Sequence, residues 1–175
     1  MKLIHHQENS ADFEGKQPLE LLKNGQLLSL SAQKPAGLIL QKPFHAEFIG
    51  PGSAIGGMFD LECTTMHALG TAELTVPETL NERQDAFQKR VTNIETMQKI
   101  CEADAPLDRA TKLLEMLCRQ FCIEEIQTVS NEVLAKLVGV LPSTIATAWQ
   151  QLPLEENQNS APSDHVYGES QLAVA

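Results

Sequence analysis

The chain has 175 residues, with 13 Lys and Arg against 23 Asp and Glu, which gives a formal net charge of -10 at pH 7. Apolar residues make up 42% and charged residues 21%, a composition typical of a globular protein with a buried core and unlike that of a disordered chain. The acidic balance argues against simple DNA binding, because nucleic-acid modules usually carry a basic face that attracts phosphate.

The sequence predicts a cytoplasmic protein without membrane contact. No apolar run approaches the ~20 residues that a membrane span needs, and residues 1–6 lack the apolar region of a secretory signal. The cysteines form no CxxC pair, so we expect reduced thiols rather than a disulfide framework. They are Cys63, Cys101, Cys118 and Cys122.

Residues 1–79 have the pattern of a small β domain. The first 80 residues hold eight of the ten glycines and five of the nine prolines. Short apolar runs, such as those at residues 37–40 and 72–76, stand between these turn signals. We therefore predict short strands joined by tight turns.

Residues 80–104 are predicted to form one long helix with a heptad seam. From Pro77 to Leu152 the chain has a single glycine, and its apolar residues follow the helical period. Steps of four and three mark one stripe on this helix: Leu80, Gln84, Phe87, Val91, Ile94, Gln98 and Cys101. We expect a homodimer interface formed by Leu80, Phe87, Val91, Ile94 and Cys101. The alternative is that the same stripe packs on the chain's own β domain.

Residues 105–152 are predicted to form a helical domain. After the turn signal Ala105-Pro106, a second amphipathic helix places five residues at core spacing: Ala110, Leu113, Leu114, Leu117 and Phe121. Cys118 and Cys122 lie at the edge of that stripe. We expect them to pack in the core rather than bind metal, because a metal site would need two further ligands and the neighbouring sequence does not supply them.

Two short helices complete this domain. Ser130 is a candidate cap for the first, and Gly139 permits the left-handed turn that ends it. Pro142 suits the first turn of the next helix, and small Ala135 leaves room for the two helices to cross at a sharp angle. The second helix is expected to present Ile145, Ala148, Trp149 and Leu152 inward.

This stretch resembles the helix-turn-helix of the Crp/Fnr-type bacterial transcription regulators, which has a Thr or Ser cap, Leu-Ala, Val-Gly, Ser-Arg-x-Thr-Val-x-Arg and a closing Leu. The matching residues are Ser130, Leu134, Ala135, Val138, Gly139, Thr144, Ile145 and Leu152. The resemblance covers residues 107–152 in motif and 20–152 in organisation. It implies an α+β fold with a degenerate N-terminal β-roll like a cyclic-nucleotide-binding domain, a long dimerisation helix and a C-terminal helix-turn-helix.

The chain departs from the family where DNA is read. The two groove-reading arginines of the family correspond to Pro142 and Thr147 here, and its β-hairpin wing is replaced by Pro153 and an acidic stretch. Residues 107–152 contain four basic residues against five acidic ones. We therefore expect weak or partner-dependent DNA contact through Ser143, Thr144, Thr147 and Gln150.

No cofactor is expected. Nucleotide-binding members of the family hold ribose and phosphate with Gly-Glu-Leu and Arg-Ala, whereas this chain has Gly56-Gly57-Met58 and no arginine before Arg83. We therefore expect no cyclic nucleotide and no metal, and the scattered histidines and missing catalytic motifs argue against an enzyme. Residues 153–175 have four acidic residues and no Lys or Arg, which predicts a disordered tail.

Two hypotheses of different classes follow. The first is an atypical DNA-binding transcription regulator that acts as a dimer. The second is an interaction or scaffold protein that keeps the dimer helix and the helix-turn-helix core, has lost DNA and acts through a protein partner. The order of the predicted domains favours the regulator, although a fold alone does not determine a function.

Overall fold

A computed structural model describes residues 18–152. The strands are β1 (Leu27–Leu30), β2 (Ala36–Gln41), β3 (Ala46–Ile49), β4 (Ala54–Gly56), β5 (Thr65–Gly70) and β6 (Leu74–Thr75). The helices are α1 (Pro18–Lys23), α2 (Leu80–Cys101), α3 (Pro106–Cys118), α4 (Ile123–Gln127), α5 (Asn131–Val138) and α6 (Pro142–Gln151). The predicted α+β class is confirmed: the strands lie in the first half of the chain and, apart from the short α1, the α-helices lie from residue 80 onward. The predicted tail, residues 153–175, lies outside the described residues.

The strands form two antiparallel sheets of three strands each, with the orders β4-β1-β6 and β3-β2-β5. Apolar side chains from both sheets form one core, which includes Leu28 and Leu30 of β1 and Leu38 and Leu40 of β2. Strand β2 is buried along almost its whole length. Its continuous apolar run is therefore that of a strand covered on both faces rather than on one.

Helix α2 is a single helix of 22 residues that connects the two halves of the chain. It begins with a capping box, in which the Thr79 hydroxyl accepts a hydrogen bond from the Glu82 N–H and the Glu82 carboxylate accepts one from the Thr79 N–H. Its buried residues are Ala86, Arg90 and Ile100. Arg90 reaches the carbonyl of Ala54 in β4, whereas Ile100 belongs to the helical core.

The helical half packs directly on the sheet β3-β2-β5. Ile39, Phe48 and Leu69 from this sheet share one core with the helices. The rings of Phe48 and Phe121 meet edge to face with their centroids 6.2 Å apart. Gly37 makes room for this contact, because a Cβ atom there would lie 2.7 Å from the Phe121 ring. The sequence did not predict this docking, nor the short helices α1 and α4.

Candidate functional site

The helix pair α5 and α6 is built by the local signals that the sequence contains. The Ser130 hydroxyl accepts a hydrogen bond from the Val133 N–H at 3.4 Å, and Gly139 has the left-handed backbone, φ 61°, that ends α5. Helix α6 begins at Pro142. The predicted inward residues are confirmed: Ile145 and Ala148 are buried, and Trp149 and Leu152 pack against the same core.

The outer face of α6 is polar and uncharged. Ser143, Thr147 and Gln150 are exposed, and Thr144 is half-buried. The Thr147 hydroxyl donates to the Ser143 carbonyl oxygen at 3.0 Å, which leaves its lone pairs free to accept. Helix α6 contains no Lys, Arg, Asp or Glu. This face therefore offers hydroxyl and amide groups to a partner, and no charge.

Two of the basic side chains near the helix pair, Arg109 and Arg119, make local contacts. The Arg109 guanidinium donates to the carbonyl oxygens of Ala103 at 3.0 Å and of Gly139 at 3.4 Å, which fixes the ends of α2 and α5. Arg119 lies 3.9 Å from the Glu115 carboxylate on α3. The Arg109 guanidinium is therefore largely taken up by backbone carbonyls, and the charge of Arg119 is partly offset by Glu115, which reduces what these two residues offer to a phosphate backbone.

The predicted seam of α2 lies mainly on the solvent side of the helix. Leu80 is 71% exposed, Val91 45% and Ile94 43%. Phe87 is half-buried, because its ring packs against the ring of Phe59 with the centroids 5.7 Å apart. The buried face of α2 is a different one, so the apolar stripe is left largely uncovered within one chain.

Arg90, on that buried face, binds a carboxylate of the β domain. Its guanidinium donates to both oxygens of Asp60, at 2.6 and 2.8 Å, and Asp60 is 0% exposed. Glu47 lies 2.5 Å from Arg90 and 2.5 Å from the Lys42 ammonium, which is itself 3.3 Å from Asp60. The N–H of Gly56 also donates to Asp60 at 2.7 Å. We call these four charged side chains, Lys42, Glu47, Asp60 and Arg90, the charge network.

The charge network shifts the pKa values of Glu47 and Arg90 toward their charged forms. Burial alone would raise the pKa of Glu47, but the hydrogen bond from Lys42 and the positive charges of Arg90 and Lys42 lower it to about 2. Burial alone would lower the pKa of Arg90, but its hydrogen bonds to Asp60 and Glu47 raise it above the ordinary value. Oppositely charged partners thus outweigh the cost of burial at both sites. The arrangement holds α2 against the strands.

The cysteines differ in their surroundings. Cys118 packs against the helical core, whereas Cys122 is exposed, so the expected core packing is wrong for Cys122. The reason is that α3 ends at Cys118 and the chain has turned before α4 begins. Cys101 is exposed, with its Sγ 4.0 Å from the Leu137 carbonyl oxygen. Within residues 18–152, no three His, Cys, Asp or Glu side chains are grouped as a metal site.

Sequence reasoning missed the charge network. One signal for it was present, because Arg90 lies at helical spacing between Ala86 and Ile100 on the inner stripe of α2. A charged residue on an apolar stripe implies a buried partner of opposite charge. Asp60, in the apolar segment Met58-Phe59-Asp60-Leu61, was a candidate for that partner.

Comparison of the chain with protein-family models, with curated proteins and with solved structures finds no significant match. In the part of the chain that the structure describes, no helix combines the length and apolar character needed to cross a bilayer. The Crp/Fnr resemblance therefore rests on the sequence residues given above. The expectation that cyclic nucleotides do not bind stays a prediction.

Proposed function

We propose that this chain is an atypical Crp/Fnr-like transcription regulator that acts as a homodimer and contacts DNA weakly or with the help of a partner protein. The observation that carries the proposal is α6, which buries Ile145 and Ala148 and leaves Ser143, Thr147 and Gln150 exposed. A short helix that follows a tight turn and has a polar outer face has the shape in which a helix-turn-helix enters a major groove.

The uncovered stripe on α2 supports the dimeric part of the proposal. A helix of 22 residues is about 33 Å long at 1.5 Å per residue, which is enough for three heptads of a two-stranded contact. Dimeric regulators bind two half-sites of DNA, so a dimer also doubles the number of contacts that a weakly reading helix can make.

An aspartate in the seam tests the dimer. Ile94→Asp should convert the protein to a monomer of 19.2 kDa, because a symmetric interface would bury the new charge twice. Thr96→Asp is the matched control, since Thr96 is exposed on the same helix and lies opposite the seam in the heptad. Light scattering at tens of micromolar protein measures both masses. A monomeric wild type would overturn the homodimer.

Two arginines on α6 test the DNA contact. Pro142 and Thr147 are exposed, so Pro142→Arg with Thr147→Arg should leave the fold intact and tighten binding, by about 1–3 kcal/mol for each new base contact. The control adds the same charge on exposed positions outside α6, with Gln120→Arg and Gln127→Arg. Gel shifts at about 50 and 200 mM salt measure DNA binding by the α6 variant and by the control. Wild type should bind DNA with a Kd of about 10⁻⁴ to 10⁻⁶ M.

A second candidate function is a scaffold that has lost DNA and binds a protein partner. The observation in its favour is that α6 has no charged residue and that Arg109 is held by backbone carbonyls. In that case neither wild type nor the α6 arginine variant should shift DNA. Tight, sequence-specific binding by wild type alone would contradict both candidates.

A further inference from the structure

An exposed apolar turn lies beside the seam of α2. It is the 3-10 helical turn Gly57–Phe59 between β4 and β5. Met58 is 86% exposed and Phe59 58%, and Leu61, just after the turn, is 45% exposed. Large apolar side chains grouped on a surface in this way often mark a site of protein contact.

The charge network fixes this turn in place against α2. The Phe59 ring packs on Phe87, and the Arg90 guanidinium lies 5.6 Å from the centre of the same ring. The Phe59 carbonyl oxygen accepts a hydrogen bond from the Lys42 ammonium at 2.9 Å. Asp60, the next residue, is held by Arg90. The turn is therefore pre-organised, and ordering it would add little to the cost of binding.

Arg90 also shows on which side of the seam the turn lies. With Phe87 at heptad position d and Val91 at position a, Arg90 occupies position g, and its side chain reaches Asp60 directly after the turn. The turn therefore lies along the g side of the seam. The e positions, on the other side of the seam, are exposed: Asn81, Gln88 and Glu95.

In a parallel two-stranded coil, the g side of one helix faces the e side of its partner. We propose that the Met58–Phe59 turn of each protomer packs on the e side of the partner subunit's α2, around Gln88 of the partner subunit. The occupant of this apolar surface is thus a second copy of the chain. This inference rests on the homodimer of the proposed function, and adds a second contact to its interface.

The size of the seam supports this second contact. A standard protein interface buries about 800 Å² on each partner, and even a fully exposed aromatic side chain supplies only about 150–250 Å². The apolar part of the seam consists of Leu80, which is 71% exposed at the start of the helix, of Val91 and Ile94, each less than half exposed, and of the half-buried Phe87. Met58 and Phe59 lie next to this stripe and supply apolar surface that the helix alone lacks.

The dimer dissociation constant of Met58→Ser tests the inference. Dilution of the full chain, followed by light scattering or sedimentation, should show a Kd raised about tenfold or more, because each symmetric dimer loses two buried side chains. Phe44→Ser is the matched control, since Phe44 is 94% exposed in the connection between β2 and β3. It should leave the Kd unchanged. At a dilution where wild type and both variants are monomeric, all three should unfold at the same temperature, because both side chains are exposed within one chain.

Two results would overturn the inference in distinguishable ways. In the first, Ile94→Asp dissociates the dimer, but Met58→Ser and Phe44→Ser have the same dimer dissociation constant. That result would keep the helix contact and remove the turn from the interface. A wild type that stays monomeric at high concentration would remove the homodimer itself, and the turn contact with it.

Discussion

Arg90→Met should destabilise the protein by about 3 kcal/mol, because it removes the main partner of a buried carboxylate. Asp60 is fully buried and would lose hydrogen bonds of 2.6 and 2.8 Å. It would keep the Gly56 N–H at 2.7 Å and the Lys42 ammonium at 3.3 Å. Removing one partner from a buried ion pair typically costs about 3–5 kcal/mol, and the remaining cation places this case at the lower end.

Urea unfolding at pH 7, followed by far-ultraviolet circular dichroism, measures the change in free energy. Lys99→Met removes a charge from an exposed position on the same helix, and should change stability by less than about 0.5 kcal/mol. Arg90→Lys keeps the charge but cannot make the paired hydrogen bonds to Asp60. Its loss of unfolding free energy should therefore fall between those of Arg90→Met and Lys99→Met.

A second substitution separates the unpaired charge from lost packing. In the Arg90→Met background, Asp60→Asn removes the buried negative charge that has lost its main partner, so the double variant should be more stable than Arg90→Met alone. A loss below about 1 kcal/mol for Arg90→Met would refute the view that the charge network holds α2 on the strands. A double variant less stable than Arg90→Met would refute the stated cause.

Two further predictions concern acid and the packing of the two halves. The pKa of Glu47 is about 2 against an ordinary 4.5, so its stabilising contribution is present above pH 4.5 and is lost as the pH falls through 2. Urea midpoints over this range measure the loss, and Glu47→Gln should flatten the profile. Gly37→Val should cost about 1–3 kcal/mol because it crowds the Phe121 ring, and Phe121→Leu in the same chain should recover part of it. An unchanged melting temperature in Gly37→Val would contradict the close packing.

The helical half could be predicted from the sequence because its signals are local. Ser130 and Gly139 mark the two ends of α5, and Pro142 marks the start of α6, through backbone preferences that hold whatever surrounds them. The inner faces of α3 and α5 followed from spacing alone. Because the inward residues of α6 could be predicted, the residues on its exposed face could be predicted as well.

The relation between the two halves could not be predicted, because it depends on pairs that are distant in the chain. Phe48 and Phe121 are 73 positions apart, and nothing near either residue indicates the other. Asp60 and Arg90 lie 30 positions apart, and although each stands in an apolar setting, neither setting identifies the other residue as the partner. The inner stripe of α2 that contains Arg90, and the partner of Arg90, emerge only when the strands and α2 are placed together.

The charge network and the seam lie on the same helix, and this limits how a dimer of this kind can change shape. Arg90 holds Asp60 through two parallel hydrogen bonds, a geometry that tolerates little rotation of α2 about its axis. Ile94 is one helical turn away from Arg90. Any rotation of α2 that moved Ile94 within the seam would therefore also pull Arg90 from Asp60 and leave a buried charge unpaired. The far end of α2 enters the helical core through Ile100. We therefore expect α2 and the β domain to move as one unit, with any change occurring between protomers.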